Sequence, residues 1–263
     1  MEKLIVISSE DKESSSVSNS DFVVSFSDSF TQQVSKVLVK EVLVPNCFYN
    51  IRSESRFGRP NNELKFYQGS IIPYITATVP QGQYNVTEFM TELTTSLNSA
   101  LQNSCQVVIS LEEKTNVLKF RFSGSTTPVN NHVRFVSDST ISSVIGFIND
   151  VETDGDGIMY MPYTPDLSGL NQVMIHSEQV AETHGLDAGK KGYINLLETV
   201  SLHNVEFGSW GYKQNNDDEM AEILYNDNKN LSRIRITLRD NEGNKLDIGT
   251  KNMSVVLKAY FSN

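Results

Sequence analysis

From Ser232 to Arg239 apolar and polar side chains alternate strictly, with Ile234, Ile236 and Leu238 on one side and Arg233, Arg235, Thr237 and Arg239 on the other. That period of two predicts a strand with one face buried and one in water. The turn formers Asp240-Asn241-Glu242-Gly243-Asn244 follow, with Gly243 free to adopt positive φ, and Met253 to Phe261 then reads as a second, more apolar strand. A chain closing on two strands joined by a turn predicts a β-sandwich. At the other end, Met1 to Ser9 reads as a short strand, its apolar run being too short for a secretory core. The Ser-rich segment from Glu10 to Ser20 is too hydrophilic to pack. Phe22, Val24 and Phe26 begin a further strand, and the β-branched run Val34 to Val44 makes a long one that Pro45 ends. Asn46 to Asn62 reads as a loop in which Arg52, Arg56 and Arg59 concentrate.

The middle of the chain changes period. Asn85 can cap a helix while Glu88 bonds back to it. Phe89, Met90, Leu93, Leu97, Ala100 and Leu101 then fall at helical spacing, as a packing face. Strands at Gln106 to Leu111 and Val117 to Phe122 flank a charged turn, and Val133 to Val136 and a short helix from Ser139 to Phe147 follow. These elements form an α+β subdomain inserted at residues 69–150, between the N-terminal strands of the sandwich in 1–68 and its remainder in 151–263. The acidic, Gly-containing stretch Asp150 to Gly157 is expected to link back to the main domain. Strands are expected at Gln172 to His176 and Tyr193 to His203, with a helical turn from Ser177 to Gly185 between them. Residues 208–230 read as a polar loop with a helical turn near Met220 to Leu224.

Length and composition narrow the class. A chain of 263 residues with 38% hydrophobic and 9% aromatic residues can bury a substantial core. Its formal charge of −10 opposes strong nucleic-acid binding, which draws on a basic footprint. No apolar run is long enough to span a membrane. The two cysteines, Cys47 and Cys105, provide no disulfide framework and suit a reducing cytosol as small buried hydrophobes.

Candidate chemistry is sparse. Asp150 to Asp156 has oxygen ligands at alternating positions, but Met161 stands where a calcium loop needs a bidentate carboxylate, so a solvated turn is expected. His132, His176, His184 and His203 include no His-x-His pair of the kind metal-dependent jelly rolls use. No nucleophile elbow, phosphate loop or zinc-protease motif occurs, so no catalytic, cofactor or metal residues are assigned and the chain reads as a non-enzyme. The Asn-x-Ser/Thr spacings at Asn85, Asn230 and Asn252 are read as incidental. Trp210, in Phe207-Gly208-Ser209-Trp210-Gly211-Tyr212, suits either a partner contact or the core. Arg233 and Arg235, outward on an acidic chain, are interface candidates toward acidic surface on a neighbouring subunit, with a plainly solvated strand face as the other reading.

Several segments together resemble one family. Pro165-Asp166-Leu167-Ser168-Gly169-Leu170, Val173 to Ser177, Ile236-Thr237-Leu238-Arg239-Asp240 with Gly243-Asn244, and Val255 to Tyr260 resemble the C-terminal half of the jelly-roll penton and minor capsid proteins of virophages, polinton-like viruses and some giant DNA viruses. Ile5 to Ser9, Asp21 to Phe26, Val44-Pro45-Asn46 with Phe48 to Ile51, Val79 to Asn85, and Ile145-Gly146-Phe147 extend the resemblance over most of the chain, its specificity lying in their order and spacing. The resemblance implies a mainly β chain, a single jelly-roll β-sandwich with the α+β insertion. It also implies a structural capsid protein of the virion, made in the host cytoplasm without a cofactor. The expected role is a vertex penton, a homopentameric ring with the double jelly-roll major capsid protein as neighbour. The alternative is a virion-surface jelly roll that recognises a host glycan or receptor.

Overall fold

In the computed structural model Ile234, Ile236 and Leu238 are fully buried and Arg233 is exposed, as the alternation predicts. The structure describes residues 1–26, 33–54, 58–69, 73–124, 131–181, 195–216, 222–229 and 231–261. In chain order its strands are β1 (Glu2–Ser8), β2 (Asp21–Ser25), β3 (Val34–Pro45), β4 (Glu63–Gln68), β5 (Ile75–Thr78), β6 (Gln106–Leu111), β7 (Leu118–Ser123) and β8 (Val133–Phe135). They continue as β9 (Val151–Glu152), β10 (Ile158–Tyr160), β11 (Gln172–His176), β12 (Leu196–Ser201), β13 (Trp210–Gln214), β14 (Glu222–Lys229), β15 (Arg233–Arg239) and β16 (Ser254–Phe261). The helices are α1 (Val86–Ala100) and α2 (Ser142–Ile145).

Two units divide the chain. Most of the first is Met1–Phe48 with Leu170–Asn263. One of its sheets has the order β1-β16-β3-β13, with β14 pairing farther along β3, and the other has the order β12-β11-β15-β2. All the pairs are antiparallel. Setting β14 aside, the strand order is that of an eight-stranded jelly roll, in which the chain crosses repeatedly between two facing sheets. Ile5, Val42 and Leu257 of one sheet share a core with Phe22, Val173 and Ile236 of the other.

The strands of this unit differ from the sequence reading at two places. β15 and β16 are not a hairpin but sit in opposite sheets, because the chain continues through buried Leu246 and Ile248 before β16 begins. The turn that leaves β15 is tied to Asp240, whose Oδ1 accepts the amides of Glu242 and Asn244 at 2.9 and 2.8 Å, and Gly243 there has φ 84°. The stretch read as a polar loop over 208–230 supplies β13 and β14, both stabilised by pairing with distant β3 rather than by local pattern. Met220 lies outside the described residues, as do Tyr193 and the segment 182–194 that holds Gly185.

The second unit, Tyr49–Glu54 with Arg59–Gly169, carries its own sheets, β5-β4-β8-β9 and β10-β7-β6. Its core gathers Phe66, Phe120, Phe122, Phe135 and Phe147 with Phe89, Leu93 and Leu97 of α1. The capping box is present, with Asn85 Oδ1 accepting the Glu88 amide and Glu88 Oε2 accepting the Asn85 amide, both at 3.0 Å. The edges at 69 and 150 are corrected outward. β4, placed by the sequence among the jelly-roll strands, pairs with β5 and β8 of this unit. The stretch expected to link the domains instead forms β9 and the turn into β10, and these two strands pair with β8 and β7. Asp154 makes the turn between them, its Oδ1 accepting the Asp156 and Ile158 amides at 2.9 and 2.8 Å.

Three outcomes test this architecture. Ile236→Ala is expected to cost roughly 2–5 kcal/mol through lost burial and a residual cavity, read by chemical denaturation. Replacing residues 59–169 with a flexible linker is expected to leave a cooperatively melting β protein, because both jelly-roll sheets stay complete. Excising 69–150 alone is expected to yield less folded protein, since it strands β4 without β5 and β8.

Candidate assembly surfaces

The outward faces of the two jelly-roll sheets differ in chemistry. On the β1-β16-β3-β13 sheet, Ile5 and Ile7 enter the core, which turns Leu4 and Val6 outward at 56% and 59% exposure. Val256 lies beside Val6 on β16, and Leu43 and Tyr212 stand opposite each other on β3 and β13. Trp210 and Tyr212, two residues apart on β13, are 46% and 55% exposed. Gly211 between them explains the parity. A Cβ there would lie 2.7 Å from Leu202 Cδ2 and 3.3 Å from Val200 Cγ1, so the inward side of β13 has no room and both aromatics project outward. Lone exposed apolar residues are ordinary, but several sharing one sheet face suggest a contact surface. Lys36 and Lys258 stand over the Tyr260 ring at 4.9 and 5.5 Å on the same sheet.

The opposite sheet is ion-paired. Arg233 and Arg235 face outward as the alternation requires, but each grips a carboxylate of its own chain. Arg233 Nε and Nη2 donate to Glu13 Oε1 and Oε2 at 3.0 and 2.7 Å. Arg235 donates to Asp21 Oδ1 and Oδ2 at 2.7 and 2.9 Å, and Lys245 Nζ adds a bond to Oδ2 at 2.7 Å. The bonds from Arg233, with one from Ser25, hold the Glu13 carboxyl at about 2. Burial opposes ionisation of Asp21, yet the bonds from Arg235 and Lys245 outweigh it and hold its carboxyl below the usual range.

The same interactions fix the segment that the sequence marked as too hydrophilic to pack, a reading the structure corrects. Glu13 N–H donates to Val23 O at 2.8 Å, Val17 N–H to Asp21 O at 3.2 Å, and Val23 N–H to Ser16 Oγ at 3.0 Å. Serine hydroxyls and backbone thus cover the open edge of β2, and Asn19 and Ser20 are buried.

The remaining candidates disperse. His132 Nδ1 lies 3.1 Å from Thr153 Oγ1, His176 is buried on β11, His203 is exposed, and His184 lies outside the described residues, as do Arg56 and Asn230. Asp150 accepts the Ser137 amide at 2.8 Å. Among the described residues no group of three or more His, Cys, Asp or Glu is placed to hold a metal, and no helix is long and apolar enough to cross a membrane. Burial pushes the Cys47 thiol up to about 11 and raises that of Cys105. In the second unit, Tyr67 and Tyr74 meet edge to face, with Arg134 and Lys65 over their rings at 4.8 and 5.2 Å. A cation therefore already covers one face of each ring.

No protein-family model matches the chain. No curated protein matches it either. Among solved structures, 99% of the chain is similar to 92% of the mavirus penton protein, at 10% identity and a TM-score of 0.47. A chain in the cryo-EM structure of the Sputnik virophage is similar over 99% of this chain and 97% of its own length, at 11% identity and a TM-score of 0.40.

The ion pairs predict an asymmetric response to mutation. Arg235→Glu sets a second carboxylate beside buried Asp21 and is expected to cost roughly 1–3 kcal/mol, less than a fully buried pair because Arg235 is partly solvated and Lys245 remains. Arg233→Glu, in water, is expected to leave the melting temperature nearly unchanged. The Asp21 carboxyl is depressed in the folded state, so its contribution is full above the unfolded value near 4 and is lost as pH falls below it, whereas the Glu13–Arg233 pair is screened by water and contributes little. Asp21→Asn is therefore expected to lower stability at pH 7 and to flatten its decline below about pH 4. Superimposable acid-denaturation curves for variant and wild type would remove Asp21 from this role.

Proposed function

We propose that this protein is a non-enzymatic structural component of a viral capsid, assembling through the outward face of its β1-β16-β3-β13 sheet. The observation that carries the reading is a jelly-roll strand order combined with exposed Leu4, Val6, Trp210 and Tyr212 on one sheet face. Jelly rolls serve as shell subunits, lectins and metal-dependent enzymes, so the fold alone does not choose among them. The interior favours the shell role. Ile, Val, Leu and Phe side chains fill the space between the sheets, where an enzyme of this fold would gather metal ligands. The ordered resemblance of the sequence to penton and minor capsid proteins points the same way.

In its finer form the proposal is a vertex homopentamer seated among double jelly-roll major capsid proteins in the virion, after synthesis in the host cytoplasm. A heterologous contact repeated by rotation closes a ring without further machinery. Trp210 supplies the aromatic anchor such interfaces favour. Arg233 and Arg235 are assigned a secondary part, as a charged rim that steers approach while remaining bound to Glu13 and Asp21.

Native mass spectrometry with negative-stain imaging of the purified protein tests the proposal. The expected result is a closed ring of five copies that Trp210→Glu with Tyr212→Glu opens while the melting temperature stays at the wild-type value. A ring that persists in the double variant would move the contact elsewhere, and a wild-type protein monomeric at every concentration would overturn self-assembly.

A further inference from the structure

β1 lies at the outside of its sheet and pairs with β16 alone among the described strands. The hydrogen bonds at its two ends reveal which backbone groups that pairing uses. Phe261 N–H donates to Met1 O at 2.8 Å, Met1 N donates to Phe261 O at 3.3 Å, and Ser9 N–H donates to Met253 O at 3.1 Å. Mutually bonded pairs recur at every second residue of an antiparallel ladder. Met1, Lys3, Ile5, Ile7 and Ser9 therefore face β16, whereas the amides and carbonyls of Glu2, Leu4 and Val6 point away from the sheet. The chain covers the corresponding groups of β2 with its own residues 13–18, whereas among the described residues none covers these. From Leu4 to Ile7 there is no charge, proline or glycine of the kind that guards natural edges.

We propose that this edge takes the β1 strand of a second copy of the chain, antiparallel, across a two-fold axis at Ile5. The sequence selects both partner and register. With the axis at Ile5, Leu4 stands opposite Val6 of the second copy, Glu2 opposite Ser8 and Lys3 opposite Ile7. With the axis at Lys3 the two Lys3 ammoniums oppose each other, and with the axis at Leu4 the carboxylate of Glu2 is set against Val6. The contact joins the two β1-β16-β3-β13 sheets edge to edge and brings Leu4 and Val6 of both copies into one apolar row. It is isologous and closes on itself, so it is independent of any ring contact and does not rest on the capsid reading.

Because the Val6 amide points away from β16, Val6→Pro removes a donor that the second strand needs while sparing the bonds within the sheet. Val6→Lys places an edge-guarding charge at the same position without touching the backbone. In sedimentation equilibrium both variants are expected to have half the wild-type mass. In hydrogen exchange of the wild type, the Leu4 and Val6 amides are expected to slow about tenfold or more as concentration carries the protein through its dissociation range. Equal mass for wild type and both variants overturns the pairing, as do Leu4 and Val6 amides that exchange freely at the highest concentration. A fall in mass to any fraction other than one half assigns the edge to the ring and also overturns the two-fold contact. A ring that survives Val6→Pro, or an absent ring with the halving intact, separates this pairing from the assembly through Trp210 and Tyr212.

Discussion

The jelly-roll unit depends on one interaction, the burial of aliphatic side chains between two antiparallel sheets. Each strand contributes every second residue to that layer, so the period of two in the sequence decides simultaneously what is inside and what the outward face displays. On β15 the outward residues are arginines and a threonine, and on β1 they are leucine and valine. The two sheets consequently present different chemistry to their surroundings although they share a single core. Gly211 shows how tight the coupling is, since the absence of one side chain on the inner face of β13 accompanies two aromatics on its outer face.

Polar groups are arranged around that layer where the sheets lack partners. At one margin Lys213 and Asn215 bond Glu198 at 2.8 and 2.7 Å, closing the gap between β13 and β12. Elsewhere residues 13–18 supply amides and hydroxyls to β2, and Asp21 anchors cations from β15 and from the turn beyond it. Asp21 is 6% exposed at its side chain, where an unpaired carboxylate would be costly, so the two cations are a condition of its burial. Placing an acidic residue at Arg235 would therefore perturb folding through Asp21 before it reached any neighbour.

Much of this was legible in the sequence wherever local pattern sufficed. The strict alternation of β15, the Asn85–Glu88 capping box and the β6–β7 hairpin all follow from side chains within a few residues of one another. What remained hidden depends on distant partners. Glu13 and Asp21 lie 220 and 214 positions before the arginines they bind, so no local reading could replace an imagined neighbour with the chain's own carboxylates. β13 and β14 are strands because β3 offers them an edge, and β9 and β10 because β8 and β7 do, which overrides a polar or acidic composition. Trp210 and Tyr212 were visible as an aromatic cluster, but Leu4 and Val6 were not distinguishable from core residues, since a strand apolar on both sides does not reveal which side meets the other sheet.

The position of β16 has a consequence for how the protein comes to be folded. It lies between β1 and β3, yet follows every other strand of its unit in the sequence. During synthesis β1 and β3 emerge early with a vacancy between them that only β16 fills. The whole second unit, whose strands pair among themselves, is translated in the interval. That unit has everything it requires to fold while the ribosome is still at work, whereas the first sheet is left to close late, around a strand that must enter between two waiting edges. Such long-range closure is slow and exposes unpaired strands to other copies in the meantime. The nascent jelly roll is thus most open to wrong partners after its inserted unit is complete and before its last strand arrives.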